Sequence, residues 1–279
     1  MADKRALVIG GGGVAGIAWA NGIVAGLAAN GVDVRTADVL VGTSAGANVA
    51  AQVSSGLTPE ELFARQVDPA LQSKELVPEG NSVESVWAEI LDIQAATEGD
   101  PAEARRRLCA LARTVHSVPV AARRAVIESR LPAHEWPRQA LLVTVVNAET
   151  GEPQVFDRDS GIALVDAVTA SSAVPLVWPC HLIDGVHYTD GGVRTSVNAD
   201  LAVGYERVLI IAPLPDEELE QQISTLTEKG ARVEVISPDE ASFTAFGANP
   251  LDTVSRVPSA NAGRDQGKSV ADRIAALWN

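Results

Sequence analysis

The pentapeptide from Gly42 to Gly46 places a serine, Ser44, between a predicted strand and a predicted helix. Residues 38–41, an aspartate followed by three apolar residues, are typical of a short buried strand, and residues 45–52 indicate the first turns of a helix. A G-x-S-x-G pattern at such a bend is typical of a nucleophile elbow, because its glycines leave room for a strained turn that presents the hydroxyl. The chain is therefore expected to be an α/β protein with Ser44 as a candidate nucleophile.

A glycine-rich bend also follows the first predicted strand. Residues 5–9 are apolar and rich in β-branched side chains, four glycines occupy positions 10–13, and residues 14–27 carry apolar side chains at helical spacing. The N–H groups of such a loop, at the positive end of a helix, are free hydrogen-bond donors. They suit an anion.

The spacing of Gly11, Gly13 and Gly16 also satisfies the dinucleotide-binding fingerprint, with Asp33 and Asp38 about twenty residues further on. In a dinucleotide fold the acid ends the second strand, where it reaches a ribose. Here Asp33 precedes the predicted second strand and Asp38 begins it, so neither acid lies at the end of that strand. This placement favours an oxyanion-type role for the loop, and nucleotide binding stays open as the alternative.

Residues 58–137 predict a helical insertion over the sheet. Thr58 and Glu61 have capping-box spacing, with Pro59 at the first helical position. Further helices are predicted over residues 82–96, 101–115 and 120–131. The insertion is either a cap that shields the active site or a scaffold. The basic clusters at residues 105–107 and 123–124 are interpreted as solvated helix faces.

The second half of the chain alternates strands and helices. Residues 139–146 and 154–157 predict a hairpin, and residues 164–172 predict a helix. Strands are predicted at residues 207–212 and 232–236, with a helix between them at residues 216–229. The last predicted element is an amphipathic helix at residues 263–278. A strand–helix–strand order favours a mostly parallel sheet with right-handed crossovers. With no repeat and no linker, residues 1–279 are expected to form a single domain.

Composition excludes several classes of function. Hydrophobic residues make up 46% of the chain, enough for a large core, and the net charge of −14 opposes binding to nucleic acid and adsorption to anionic lipid. The two cysteines form no metal-binding spacing and no disulfide framework. No signal peptide or membrane span is recognisable, so a cytoplasmic protein is expected. No metal or other cofactor is expected.

A serine nucleophile needs a base, and the sequence offers two kinds. The four histidines are His116, His134, His181 and His187. None follows Ser44 in the order and position that an α/β-hydrolase triad requires. Asp190, followed by two glycines, is the alternative base, although burial would have to raise its pKa. Taken alone, the pair Asp190-Gly191 favours a hairpin turn, because Asp-Gly is the commonest dipeptide in such turns.

Four segments, taken in order, resemble the signatures of the patatin-like phospholipase family. They are the glycine loop at residues 11–16, the elbow at 42–46, the segment Ala-Ser-Ser-Ala-Val-Pro at 170–175, and Asp-Gly-Gly at 190–192. The resemblance covers roughly residues 5–213. It implies a three-layer α/β/α fold and a Ser-Asp dyad that needs no histidine.

Carried over by position, the resemblance implies Ser44 as nucleophile, Asp190 as base, and the N–H groups of Gly11, Gly12 and Gly13 as the oxyanion hole. The family's loop usually carries a basic residue where this chain has Ala15, so backbone donors alone would stabilise the oxyanion.

The expected function is a serine acyl hydrolase acting on lipid or other carboxylic esters through an acyl-enzyme, with transient contact to a membrane surface. The alternatives are a nucleotide-binding protein and a catalytically silent binding module.

Overall fold

The computed structural model describes residues 3–76, 83–97 and 99–279. Its strands are β1 (Arg5–Ile9), β2 (Val39–Thr43), β3 (Ala140–Asn147), β4 (Pro153–Phe156), β5 (His181–Ile183), β6 (Val186–Asp190), β7 (Arg207–Ile211) and β8 (Arg232–Ile236). Its α-helices are α1 (Gly13–Ala29), α2 (Ala45–Val53), α3 (Pro59–Val67), α4 (Val83–Ala96), α5 (Pro101–Ala112), α6 (Val120–Arg130), α7 (Leu164–Ser171), α8 (Leu219–Glu228), α9 (Glu240–Phe246), α10 (Arg256–Ser269) and α11 (Ala271–Trp278).

The strands form one sheet in which hydrogen bonds connect β5, β6, β3, β2, β1, β7 and β8 in turn, and β3 also pairs with β4. The centre is parallel, because β1 pairs in parallel with β2 and β7, β2 with β3, and β7 with β8. The β3–β4 hairpin is antiparallel, as the sequence predicts, and β6 runs antiparallel to β3 and β5. The expected mostly parallel α/β sheet is confirmed.

Alternate residues of β1 enter two hydrophobic cores. Leu7 and Ile9 pack with side chains from α1, α2, α7 and α11. Ala6 and Val8 lie on the other face, in a core that includes Leu226 of α8. Because successive side chains of a strand point to opposite faces, this pattern places helices on both sides of the sheet. The three-layer α/β/α architecture is therefore present.

The insertion helices begin as the sequence predicts. Thr58 and Glu61 form the expected capping box, with Pro59 in the first turn of α3. Ser82, the predicted start of the next helix, lies outside the described residues, and the described part of that helix is α4. Helices α4 and α5 pack against each other and line the cavity described below.

The end of the chain differs from the prediction of one helix over residues 263–278. Helix α10 begins earlier, at Arg256, and Val270 separates it from α11. The break lets the two helices face different partners, since α10 packs along α1 while α11 packs against β7 and β8. Within the described residues, no helix combines the length and the apolar character needed to cross a bilayer.

Candidate active site

Ser44 sits on a strained turn between β2 and α2. Its backbone has φ 55° and ψ −115°, in the left-handed half of conformational space that side chains rarely adopt. The turn also brings α2 against the end of β1, because a Cβ on Gly46 would lie 1.9 Å from the carbonyl oxygen of Ile9. Only glycine fits there. These two features form the strand–turn–helix elbow that the sequence predicts.

Side chains at the end of α7 hold the elbow in place through hydrogen bonds. The N–H of Ser44 donates to Oγ of Ser171 at 2.9 Å. Asn48, in α2, donates from Nδ2 to the carbonyl oxygen of Ser44 at 3.1 Å and to Oγ of Ser172 at 3.0 Å. The predicted segment at residues 170–175 therefore supports the nucleophile, a role that the sequence alone did not assign to it.

Strands β2 and β6 meet end to end along one edge of β3. Thr43, the last residue of β2, lies opposite Thr144, and Asp190, the last residue of β6, lies opposite Val145. Strand β4 pairs with the same part of β3 and so occupies its other edge. Because β2 is parallel and β6 antiparallel to β3, both strands end where they meet. This register brings Ser44 next to Asp190.

The hairpin-turn interpretation of Asp190 is wrong. The Asp-Gly turn of the β5–β6 hairpin is formed by Asp184 and Gly185, which have φ values of 49° and 83°. Asp190 instead ends β6, and the following residues enter a short 3-10 turn, Gly191–Val193. A Cβ on Gly191 would lie 2.2 Å from Oγ1 of Thr144, so a glycine after Asp190 is required by packing against β3.

Burial dominates the electrostatics of Asp190, a residue that is only 3% exposed. Oδ1 accepts a hydrogen bond from the N–H of Gly192 at 2.7 Å, while Oδ2 has no partner in hydrogen-bond geometry among the residues that the structure describes. Loss of hydration raises the pKa of Asp190 to about 7, against the lowering effects of the Ser44 hydroxyl, the Gly192 amide and the Arg123 charge. The Ser44 hydroxyl is thus near enough to affect the pKa of Asp190 without being hydrogen bonded to Oδ2. A carboxylate with a near-neutral pKa can both accept and return a proton.

The glycine loop faces Ser44 with two free backbone donors. The N–H of Gly11 donates to the carbonyl oxygen of Ser196 at 2.8 Å. Among the described residues, no acceptor is bonded to the N–H groups of Gly12 and Gly13, which open α1. Gly13 has φ 62°, and a Cβ there would lie 2.7 Å from the carbonyl oxygen of Pro250. The loop therefore presents donors at the positive end of a helix.

Asp33 and Asp38, the acids that would contact a ribose if the glycine loop bound a dinucleotide, lie away from this loop. Asp38 accepts from the N–H of Arg5, at the start of β1, whereas the glycines follow the end of β1. Asp33 caps a short 3-10 turn before β2 and pairs with Arg35 at 2.8 Å. Neither carboxylate can face a ligand held by the glycine loop, because the length of β1 separates them from it.

A cavity of about 380 Å³ opens at the candidate site and is lined by Ser44, Asp190 and the glycine loop. Its walls are mainly apolar and include Val86, Ile90 and Leu91 of α4, Leu108 of α5, and residues of the loops around Val174, Leu214 and Leu251. Helices of the insertion therefore cover the site. A volume and a lining of this kind suit a small or chain-like apolar ligand.

None of the four histidines is among the described residues that line this cavity. His181 contacts Asp166, with 2.9 Å between Nε2 and Oδ1, and burial lowers the pKa of its imidazole. His187 contacts Glu149 on the surface. A Ser-His arrangement is therefore absent from the described part of the site.

The interpretation of residues 123–124 as a solvated face is wrong for Arg123, which is 5% exposed. A second buried arginine of α6, Arg130, forms an ion pair with Glu75 at 2.5 Å, and Arg256 of α10 pairs with the same carboxylate at 2.7 Å. These two charges hold the pKa of Glu75 at about 2 in spite of its burial. The signal in the sequence was the spacing of Arg123 and Arg130, which repeats with the apolar face of α6.

Comparisons with known proteins identify the family of the chain. A sequence model of the family described as patatin-like phospholipase matches residues 7–203. Among solved structures, VipD from Legionella pneumophila is similar over 97% of this chain and 67% of its own length, with a TM-score of 0.50 and 14% identity. The type III effector protein ExoU, from Pseudomonas aeruginosa, is similar over 97% of this chain and 53% of its own length, with a TM-score of 0.43 and 16% identity. The chain thus spans about half to two thirds of these proteins. No curated protein sequence matches significantly.

Proposed function

Because the chain belongs to the patatin-like phospholipase family, we propose that it is a serine acyl hydrolase of lipid esters in which Ser44 and Asp190 form a catalytic dyad. The observation that carries this proposal is the meeting of the strained Ser44 turn and the buried Asp190 carboxylate on one edge of β3. A hydroxyl held beside a base of near-neutral pKa is the arrangement that nucleophilic catalysis requires.

In the first half of the reaction, Oγ of Ser44 attacks the ester carbonyl while Asp190 takes the hydroxyl proton. The carbonyl oxygen becomes an oxyanion, for which Gly12 and Gly13 supply the free N–H groups, while Gly11 holds the loop through its bond to Ser196. Collapse of the tetrahedral intermediate breaks the ester C–O bond. The leaving alcohol receives the proton from Asp190, and the acyl group stays on Ser44.

In the second half, a water molecule replaces the alcohol. Asp190 accepts a proton from this water as its oxygen attacks the acyl carbon, and the same backbone donors stabilise the second oxyanion. The Ser44 C–O bond then breaks, and Oγ recovers the proton. The products are a free carboxylic acid and the regenerated serine.

The cavity supports a lipid as the substrate class. Its apolar walls fit an acyl chain that begins at Ser44, and Leu91 on its rim is 61% exposed. An exposed leucine at the mouth suits transient contact with a lipid surface by apolar insertion, since the net charge of −14 opposes electrostatic adsorption to anionic lipid.

The test compares the wild type with Ser44→Ala, using Ser224→Ala on the exposed face of α8 as the matched control. Phospholipids, lysophospholipids, acylglycerols and a chromogenic short-chain ester are incubated with each protein, and the released acid is measured by mass spectrometry. We expect the wild type and the control to release acid and Ser44→Ala to release none. Full activity of Ser44→Ala would refute the proposal, and a wild type that is neither active nor labelled by a fluorophosphonate would favour a silent binding module.

A further inference from the structure

Arg123 is a buried cation with unused hydrogen-bond donors. It projects from α6, and its Nε and Nη1 atoms are buried without a hydrogen-bond partner in the described part of the chain. Its guanidinium lies over the ring of Trp178, 4.0 Å from the centroid. Stacking on an aromatic face holds the group in place, but it leaves the N–H donors free. Buried donors of this kind are rare unless they have a task.

Arg123 lines a small cavity beside Ser44. A small cavity of about 20 Å³ is lined by Arg123, Ser44 and Gly13, together with Ala45 and Asn48. Asp190 is not part of this lining, whereas it lines the large cavity together with Ser44. Ser44 therefore lines both cavities, one together with Asp190 and the other together with Arg123. A cavity of this volume holds about one water molecule or one oxygen atom.

The other arginines near Ser44 already have carboxylate partners. Arg130, which lines the same small cavity, is paired with Glu75 at 2.5 Å. Arg194, which lines the large cavity, is paired with Asp200 at 2.6 Å. The glycine loop adds no charge, because the first turn of α1 has no acidic residue and Ala15 is apolar. Within the described lining of both cavities, Arg123 is the arginine without an ion-pair partner.

We propose, building on the acyl hydrolase function above, that Arg123 stabilises the negative charge that develops on the ester oxygen when Ser44 attacks. During attack the charge leaves Asp190, which becomes protonated, and moves to the substrate oxygen beside Gly12 and Gly13. Arg123 lines the small cavity together with Gly13, so in this proposal the movement carries the charge towards the guanidinium. A positive charge fixed at that point therefore stabilises the transition state more than the ground state.

The charge of Arg123 also reaches Asp190 and the neighbouring ion pairs. Burial, followed by repulsion from Arg130, lowers the pKa of Arg123 to about 9, while Glu75 and Asp190 raise it. Arg123 thus stays cationic at neutral pH. In turn its charge lowers the pKa of Asp190. Loss of this charge should therefore slow the reaction and also move the pH at which Asp190 becomes an active base to a higher value.

The experiment measures the rate at which a fluorophosphonate labels Ser44, because this reaction forms a comparable negatively charged intermediate and needs no knowledge of the natural substrate. Rates are followed from about pH 5 to pH 9 for the wild type, Arg123→Met and Arg123→Lys. Arg124→Met is the matched control, since it removes a charge from the same helix at a residue that pairs with Asp166. Melting temperatures are measured for every variant.

We expect Arg123→Met to label about ten to a hundred times more slowly at about pH 8, with its acid limb displaced to higher pH. Arg123→Lys should recover much of the labelling rate and much of the wild-type pH dependence, and Arg124→Met should match the wild type in both quantities. Wild-type rates and an unshifted limb in Arg123→Met would refute the proposal. Slow labelling with an unshifted limb and no recovery by lysine would assign Arg123 a structural role instead, which also refutes it. A wild type that is not labelled would refute the hydrolase function itself, so the two failures are distinguishable.

Discussion

Asp190→Asn should abolish hydrolysis and at the same time stabilise the fold at alkaline pH. The pKa of Asp190 rises from an ordinary 3.8 to about 7 on folding, chiefly through loss of hydration. Between these values the folded protein holds a proton that the unfolded chain has released. Stability from this group therefore falls as the pH rises through that window and is constant above it.

The size of the effect follows from the shift in pKa. One pKa unit corresponds to about 1.36 kcal/mol, so the ionised carboxylate lowers the free energy of unfolding by roughly 4 kcal/mol at about pH 8. Asparagine keeps an oxygen that can accept the N–H of Gly192, but its own amide hydrogens lack partners, which costs about 1–3 kcal/mol. The net expectation is that Asp190→Asn is more stable than the wild type by about 1–3 kcal/mol at pH 8. At about pH 4.5 only about 1 kcal/mol of the carboxylate penalty remains, so the stability of Asp190→Asn relative to the wild type should be lower there than at pH 8 by about 3 kcal/mol.

Urea unfolding followed by tryptophan fluorescence at both pH values measures these differences, together with ester hydrolysis. Asp159→Asn, at an exposed residue, is the control and should change neither quantity. If Asp190→Asn were destabilising by the same amount at pH 8 as at pH 4.5, the burial argument would be wrong. If it kept its activity, Asp190 would not be the base.

Two other substitutions test the supports of the site. Glu75→Gln leaves Arg130 and Arg256 without their shared carboxylate and should lower the free energy of unfolding by about 3–5 kcal/mol at pH 7, as measured in urea. Because the folded pKa of Glu75 is about 2 against an ordinary 4.5, this difference should shrink as the pH falls from 4.5 towards 2, and a constant difference would contradict it. Ser171→Ala removes the acceptor of the Ser44 N–H and should slow fluorophosphonate labelling about tenfold while the free energy of unfolding falls by only about 1–3 kcal/mol. Labelling at the wild-type rate would show that the elbow does not depend on α7.

The elements around both glycine-rich bends could be predicted because local residues determine them. Gly46 and Gly13 mark positions where a backbone approaches closely or turns, and the apolar periodicity on either side identifies the strand or the helix. The capping box at Thr58 is equally local. These features need no information from distant parts of the chain.

The remaining features depend on contacts between distant residues. Asp190 could be a turn residue or a base in the sequence, and only the pairing of β6 with β3 distinguishes these roles. Arg123 was misinterpreted because a pair of adjacent arginines is usually solvated, while its burial results from packing against Trp178. The division of the terminal helix at Val270 likewise follows from two different packing partners.

The shared edge of β3 makes the distance between Ser44 and Asp190 independent of the length of chain between them. Thr43 and Asp190 pair with adjacent residues of one strand, so the step of a single peptide unit sets their separation. Helices α4 and α5, which provide part of the cavity wall, belong to the chain that enters between β2 and β3. Those helices can be lengthened, shortened or exchanged without moving the two reacting side chains. Selectivity for the acyl chain can therefore change with these helices, while the side chains of Ser44 and Asp190 keep their positions at the ends of β2 and β6.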